Sequence, residues 1–357
     1  MTRRILITGG AGFIGSSLAL ALTERHADWE VTALDNLHRR GSELNLPRLR
    51  EAGVRFHHGD VRELDDILAV GEIDALLECS AEPSVMAGID GDTGFLVRTN
   101  LLGAYHCLEA AARHGAQVVF LSTSRVYPVA ALNALSFEEG ETRFALLDTQ
   151  RVAGASTRGI SEGFPLEGAR TLYGTTKLAA ELLVGEYAET FGLATVVNRC
   201  GVIAGPWQMG KVDQGVFTHW MLAFHFRRAI SYFGFGGAGK QVRDLLHVDD
   251  LTDLVEDQLL RPEHWAGAVV NVGGGPDVSL SLAETTALCR EITGNELALG
   301  SDPLTRAGDI RIYLSDCAAL AQYTDWRPER SATQIMSDIH TWIRDHEPLV
   351  CGALAAA

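Results

Sequence analysis

The sequence lacks several features that mark other classes of protein. Its 357 residues contain no apolar run of the ~18 residues that a membrane span requires, and no signal-peptide pattern precedes the first predicted strand. The 6 cysteines and 12 histidines show neither paired nor metal-ligand spacing, so we expect reduced thiols, no bound metal and a cytoplasmic location. Positive charge is scarce. The chain has 30 lysines and arginines against 46 acidic residues, and its net charge of −16 argues against nucleic acids or anionic membranes as partners.

The residues that are present indicate an α/β protein. The composition is 46% hydrophobic and 21% charged, as in ordinary globular domains. Short apolar strands alternate with helical patterns, which is typical of a doubly wound parallel sheet with helices on both faces. The strands are predicted at 4–8, 31–34, 54–57, 73–77, 117–121, 194–198, 242–248 and 268–272. Long helices are predicted at 92–114 and 172–191, and the irregular segment 128–169 has the length of a functional loop.

The first fifteen residues contain a strand, a glycine-rich turn and the start of a helix, in that order. This arrangement is typical of a dinucleotide-binding unit. Gly9 allows a tight turn, Gly12 has no Cβ and lets a pyrophosphate approach the backbone, and Gly15 lets the helix pack closely on the strand. The helix N-terminus offers unpaired N–H groups and a partial positive charge to the phosphates.

Asp35 ends the second predicted strand, at the position of the acidic residue expected ~20 residues after such a turn. A carboxylate there accepts hydrogen bonds from the ribose hydroxyls and repels a 2′-phosphate, which favours NAD over NADP. Two alternatives stay open. Asp35 can be an ordinary turn or cap residue, and Arg39 or Arg40 can accept a 2′-phosphate.

Tyr173 and Lys177 lie four residues apart on a predicted helix and therefore share one face. An ammonium group beside a phenol favours the phenolate and lowers its pKa, so Tyr173 can serve as a base near neutral pH. Thr123 follows the fifth strand, at the sheet edge where ligands bind in such folds, and its hydroxyl can contact a substrate oxygen. Chance spacing of the pair, and a turn-forming role for the hydroxyl residues 122–124, are the simpler interpretations.

These elements, together with Val242–Asp250, occur in the order of the extended short-chain dehydrogenase/reductase superfamily, and the chain resembles its NAD-dependent nucleotide-sugar epimerase/dehydratase branch. The resemblance covers nearly the whole chain. It implies a Rossmann domain at 1–200 and 243–273, and a smaller α/β domain at 201–242 and 274–350 that binds the nucleotide sugar. It also implies a homodimer that is formed through the two long helices.

Within this branch, the sequence is most similar to the CDP-paratose 2-epimerase (CDP-tyvelose epimerase) group. The segments that carry this similarity are 35–46, 141–144, 213–215 and 239–244. Sugar 4,6-dehydratases place an Asp and a Glu after the catalytic Thr, whereas this chain has Ser124 and Arg125. A guanidinium group cannot act as the required base, so dehydration is not expected. Departures from the group at 78–82, 128 and 199–205 leave the exact substrate open.

The resemblance also implies a role for individual residues. It makes Thr123, Tyr173 and Lys177 catalytic. It places the cofactor against Gly9, Gly12, Phe13, Ile14, Gly15, Asp35, Asn36, Asp60, Val61, Ser80, Asn100, Ser122, Tyr173, Lys177 and Arg199. It places the substrate against Thr123, Ser124, Arg125, Gln214, Arg243 and Arg311. A guanidinium group can bind two phosphate oxygens at once, which suits Arg243 and Arg311 to a pyrophosphate. Surface ion pairs would also explain these two arginines.

The resulting hypothesis is an NAD-dependent epimerase. It would oxidise one carbon of a nucleotide sugar and return the hydride to the other face, and by resemblance this is carbon 2 of a CDP-linked deoxysugar. A UDP-sugar 4-epimerase is the nearest alternative. A non-catalytic NAD-binding regulator on the same fold is the alternative from another class, because fold does not fix function.

Overall fold

A seven-stranded parallel sheet forms the centre of the structure. The computed structural model describes residues 2–87, 92–209 and 215–355. The strands are β1 Arg3–Thr8, β2 Trp29–Asp35, β3 Arg55–His58, β4 Ala75–Glu78, β5 Gln117–Thr123, β6 Thr195–Cys200 and β7 Ala268–Val272. Their order in the sheet is β3-β2-β1-β4-β5-β6-β7, and every neighbouring pair is parallel. The chain thus winds outward in both directions from β1 and β4, which confirms the doubly wound α/β prediction.

Helices cover both faces of this sheet because successive strand residues point to opposite sides. Ile5 and Ile7 belong to the core under the first helix, whereas Leu6 belongs to the core on the other face. The helices are Phe13–Arg25, Leu46–Glu51, Leu64–Leu68, Thr93–Val97, Gly103–His114, Val129–Asn133, Leu172–Phe191, Val216–His225, Val248–Leu260, Pro262–Trp265, Leu282–Thr293, Ala332–Asp345 and Glu347–Ala355. Among the described residues, no helix is both long and apolar enough to cross a membrane.

The predicted helix at 92–114 is interrupted. It consists of Thr93–Val97, a π-helical turn at Arg98–Leu102, and Gly103–His114. The turn directs Asn100 into the protein, where its amide accepts a hydrogen bond from Glu82 N (2.8 Å) and donates one to Glu82 O (3.1 Å). The prediction of one regular helix was wrong, because Asn100 makes its contact with Glu82 from a wider, π-helical turn.

A second, smaller sheet lies beside the central one. Its longest strand, Val242–His247, runs parallel to Val202–Ala204 and Ile312–Tyr313, and antiparallel to Ser279–Ser281. A separate parallel pair joins Ile230–Phe233 to Leu299–Asp302. The aromatic core of this part contains Phe217, Trp220, Phe224 and Trp342.

The segment 128–169 is more regular than predicted. It contains the helix Val129–Asn133 and two antiparallel hairpins, Phe137–Glu139 with Phe144–Leu146 and Ala155–Ser156 with Gly159–Ile160. Buried apolar side chains of this segment pack on Ile312 and Tyr313 of the second sheet. Strands of two or three residues are too short to give a sequence pattern, which is why the prediction assigned a loop.

Candidate active site

A cavity of about 690 Å³ lies at the carboxyl ends of the central strands. Its lining includes the glycine turn and residues of the second sheet. This is the edge where ligands bind in doubly wound folds. Most of the predicted site residues line it: Gly9, Gly12, Phe13, Ile14, Gly15, Asp35, Asn36, Val61, Ser80, Ser122, Thr123, Ser124, Arg125, Tyr173, Lys177 and Arg243.

The glycine turn has the geometry of a phosphate cradle. Gly9 has a φ of 63°, and its carbonyl oxygen accepts a hydrogen bond from Gly12 N at 2.9 Å. A Cβ atom on Gly15 would lie 2.3 Å from Gly9 O, so a side chain at this position would force the turn open. The helix that follows has no acidic residue in its first turn to compete for its N–H groups. These features fit the pyrophosphate of a dinucleotide.

Asp35 is built into the same turn. Its carboxylate accepts hydrogen bonds from Ala11 N (3.1 Å) and Leu37 N (2.8 Å), and it also lines the cavity. Burial raises the pKa of Asp35, and these backbone donors oppose that shift. The carboxylate is therefore held in a fixed direction at the predicted ribose end of the cavity.

The three predicted catalytic residues all line the cavity, and the Tyr173 phenol interacts with both the Thr123 hydroxyl and the Lys177 ammonium group. Tyr173 is the second residue of the helix Leu172–Phe191, which Thr171 caps by accepting a hydrogen bond from Gly174 N at 3.3 Å. A Cβ atom on Gly174 would lie 2.1 Å from Arg125 O, so this glycine allows the helix to press against the segment after Thr123. This close contact brings the phenol to the end of β5.

The Tyr173 pKa is raised in the structure, whereas the sequence alone predicts that it is lowered. Burial raises the pKa of the phenol, and this effect exceeds the opposing ones of the Lys177 ammonium and the Thr123 hydroxyl. The sequence indicates the neighbouring charge but not the depth of burial. The direction of the lysine's effect was therefore predicted correctly, whereas the net pKa shift was not.

Lys177 has a partner that the sequence did not reveal. Its Nζ lies 3.1 Å from Glu78 Oε2, and both side chains are 3% exposed. The Ser80 hydroxyl donates a hydrogen bond to the other carboxylate oxygen of Glu78 at 2.6 Å. Burial lowers the pKa of Lys177, but the attraction of Glu78 outweighs it, and the net pKa is raised. The available signal was Glu78 itself, a carboxylate that directly follows the apolar predicted strand 73–77.

Arg125 and Arg243 bring positive charge to the cavity wall. Arg125 donates a hydrogen bond to Gly308 O at 2.9 Å, and Arg243 donates to Val242 O (2.7 Å) and Ile310 O (2.6 Å). Within the described residues, neither forms an ion pair with a carboxylate. Burial and the nearby Arg125 charge lower the pKa of Arg243 to about 9. Two such guanidinium groups suit an anionic ligand, which would offset their cost of burial.

Two predicted arginines do not line the cavity. Arg311 donates a hydrogen bond to Asn133 O at 3.1 Å, and its guanidinium lies 4.2 Å from the ring centre of Phe137. Arg199 lies in a buried ion pair with Glu181, at 2.8 Å. Both guanidinium groups thus bind side chains or backbone of the chain itself, away from the ligand cavity.

Asp60 and Asn100 also differ from the expected arrangement. Asp60 accepts a hydrogen bond from Asn36 and pairs with Arg62. Burial opposes its ionisation, yet Arg62 lowers the pKa of Asp60 to about 2. Neither Asp60 nor Asn100 lines the cavity, although Val61 does. Gln214 lies outside the described residues.

Other lining residues were not predicted, and most of them lie beyond residue 200. Besides aliphatic residues and glycines, they include aromatic, polar and charged side chains without a recognisable spacing, among them Trp207, Gln208, His219, Trp220, Phe233, Gln241, Arg306 and Asp309. Aromatic rings of this kind offer stacking surfaces for a planar ligand. Within the described residues, no group of three metal-ligating side chains lies together, and all six cysteines have free thiols.

Comparisons with known proteins agree with this geometry. CDP-paratose 2-epimerase of Salmonella typhi is 30% identical over 95% of this chain and 98% of that protein. A dTDP-glucose 4,6-dehydratase of Streptomyces antibioticus is 31% identical over 97% of this chain and 95% of that protein. The solved UDP-glucose 4-epimerase of Thermus thermophilus, a complex with NAD, superposes with a TM-score of 0.75 at 25% identity, and the match covers 96% and 99% of the two chains.

A family model also matches most of the chain. The description of this family is NAD dependent epimerase/dehydratase, and the matched residues are 5–273. The match includes the glycine turn, Thr123, Tyr173 and Lys177, which the structure places around one cavity. NAD is therefore the cofactor of this enzyme, and the chain belongs to the NAD dependent epimerase/dehydratase family.

Proposed function

We propose that this enzyme is a nucleotide-sugar epimerase, which inverts one sugar carbon by transient oxidation and re-reduction. The observation that carries the proposal is the cavity wall formed by Thr123, Tyr173 and Lys177, with Arg125 two residues after the threonine. A hydroxyl, a phenol and an ammonium group suit removal and return of a hydroxyl proton. Arg125 stands where a dehydratase would need a carboxylate, and a guanidinium cannot act as that base.

Each side chain has a proposed task. Tyr173 takes the proton of the reacting hydroxyl and later returns it. Thr123 donates a hydrogen bond to the reacting oxygen, and Lys177 favours the ionised form of Tyr173. Bound NAD would supply the redox chemistry, held by the glycine turn and Asp35. The partly buried cations Arg125 and Arg243 would attract the substrate's phosphates.

The proposed substrate is a CDP-linked deoxysugar, and the inverted centre is carbon 2. The similarity to CDP-paratose 2-epimerase and the segment 239–244 support this choice. A UDP-sugar 4-epimerase is the second candidate, because the chain is also 27% identical to UDP-glucose 4-epimerase of Corynebacterium glutamicum over 96% of its length. A non-catalytic NAD-binding regulator is less consistent with a buried Tyr173 and Lys177 that both line the cavity.

We also propose a cytoplasmic homodimer. Exposed apolar side chains lie on both long helices: Leu182 is 72% and Phe191 58% exposed on one, and Val97 and Tyr105 are each 37% exposed on the other. A symmetric pairing of these helices would bury them. Within each chain, we propose that 1–200 and 243–273 bind the cofactor, and that 201–242 and 274–350 bind the nucleotide sugar.

A retained-cofactor measurement followed by a substrate screen tests the function. Mass spectrometry of the purified protein should detect NAD, and NMR should detect inversion of a CDP- or UDP-linked sugar. In deuterium oxide, the product should gain no carbon-bound deuterium at the inverted centre, because the hydride that leaves is the one that returns. Deuterium at that carbon would mean inversion by deprotonation next to a carbonyl, and transient oxidation would have to be abandoned.

A further inference from the structure

The ammonium group of Lys177 is almost completely enclosed. Its side chain is 3% exposed, and Nζ lies 4.2 Å from the ring centre of Phe120. Burial removes water from the charge, and lysines buried without a partner can lose their proton several pH units below an exposed lysine. The proposed catalytic task needs the charged form, so the surroundings of Lys177 must favour it.

Glu78 supplies the negative charge that Lys177 faces. In the part of the chain that the structure describes, the other titratable groups around Lys177 are Tyr173 on its own helix, Cys79 after β4, Cys107 on the helix Gly103–His114 and Cys200 at the end of β6. Burial raises the pKa of each of these groups, so the phenol and the thiols are neutral at neutral pH. Among the described residues, Glu78 alone forms an ion pair with Lys177.

Glu78 is itself firmly held, and it does not line the cavity. It ends β4 at the centre of the sheet, where it lies in register with Thr8 of β1 and Phe120 of β5. One carboxylate oxygen accepts a hydrogen bond from Ser80, and the other contacts Lys177. Lys177 lines the cavity and Glu78 does not, so any influence of this carboxylate on a ligand passes through the lysine.

We propose that Glu78 is a positioning residue that keeps Lys177 charged and fixes its ammonium group beside Tyr173. The catalytic consequence rests on the proposed function, whereas the effect on Lys177 is a property of the folded enzyme alone. When Lys177 is neutral, Tyr173 loses the ammonium that favours its phenolate. Removal of the Glu78 charge therefore makes the proposed base harder to ionise.

Direct titration of Lys177 tests the proposal without a substrate. The sequence has three lysines, Lys177, Lys211 and Lys240, so lysine labelled with ¹³C at Cε gives a simple NMR spectrum, which K211R and K240R assign. In the native enzyme, we expect Lys177 to stay charged throughout an alkaline titration. In Glu78→Gln, which keeps the size of the side chain, its pKa should fall by about two units or more.

A matched control separates this effect from a general loss of stability. Asp250 is a buried carboxylate that pairs with Arg330 and does not line the cavity. Asp250→Asn should lower the melting temperature and leave the titration of Lys177 unchanged. An unchanged Lys177 pKa in Glu78→Gln would overturn the proposal. If Glu78→Gln fails to fold, Glu78→Asp provides the test. Its shorter carboxylate should leave the Lys177 pKa below the native value. A Lys177 pKa equal to the native one would contradict the proposal.

Turnover supplies a second readout. Activity that depends on ionised Tyr173 rises with pH, and this rise should move to higher pH in Glu78→Gln, with a smaller movement in Glu78→Asp. No movement, or movement to lower pH, would mean that Lys177 stays charged without Glu78, and the proposal would fail. If no nucleotide sugar is turned over by the native enzyme, the proposed function fails, while the NMR titration still decides the role of Glu78.

Discussion

Replacement of Tyr173 by Phe isolates the proposed base. The ring is buried, so Tyr173→Phe keeps its packing and removes only the phenol oxygen and its interaction with Thr123. General-base assistance is worth about 10²–10⁴-fold in rate, or about 2.7–5.4 kcal/mol at 1.36 kcal/mol per tenfold. We therefore expect kcat to fall by at least about 100-fold, while NAD stays bound because the glycine turn and Asp35 are unchanged.

The pH dependence sharpens this test. Burial raises the pKa of Tyr173, so the native phenol is protonated at neutral pH, and kcat/KM should rise with pH through the neutral range and on into the alkaline range. Tyr173→Phe has no such group, and its residual rate should vary little with pH, so the two profiles should converge in acid. Tyr187→Phe is the control: Tyr187 lies on the same helix, bonds to Glu109 and does not line the cavity. Full activity of Tyr173→Phe, or a rising profile like that of the native enzyme, would refute the assignment.

Three further predictions concern the cofactor and the assembly. Calorimetry should show NAD binding at least about tenfold tighter than NADP, because buried Asp35 repels a 2′-phosphate; equal or tighter NADP binding would contradict this. Gly15→Ala would place a Cβ 2.3 Å from Gly9 O and should weaken NAD binding by about tenfold or more, as overpacking costs about 1–3 kcal/mol. Gly352→Ala, where a Cβ meets nothing within 4 Å, should leave that affinity unchanged. Light scattering at micromolar concentration should give a native dimer and, for Leu182→Glu, a monomer; a native monomer would end the dimer proposal.

Features that depend on neighbouring residues were predictable from the sequence. The glycine turn, the helix Leu172–Phe191 and the strand β7 occupy the predicted positions, because turn chemistry and apolar period are local signals. Tyr173 and Lys177 reach the same cavity because one helix carries both. The parallel sheet follows from the alternation of strand and helix, since parallel strands need crossover connections that usually contain a helix.

Contacts between distant residues were beyond that kind of prediction. Lys177 and Glu78 are 99 residues apart, and the sequence around either residue does not indicate that they form an ion pair. Arg311 carried a role by resemblance, yet its guanidinium is occupied by Asn133, 178 residues away, and by the ring of Phe137. Burial is likewise a property of the whole fold, so the raised pKa of Tyr173 could not be read from the adjacent lysine.

The π-helical turn at Arg98–Leu102 has a consequence for how this region tolerates insertions and deletions. An α-helix advances about 100° per residue, so one additional residue in a turn rotates the preceding segment by about that angle relative to the rest. With this rotation, Gly103–His114 packs on the sheet while Asn100 forms two hydrogen bonds with the backbone of Glu82, a residue of the cavity wall. Deletion of Asn100 would restore a regular helix and turn Thr93–Val97 to a new face. It would also remove the hydrogen bonds that hold Glu82 in the cavity wall. Many substitutions on the outer surface of the same helix would leave the rotation between its two parts unchanged.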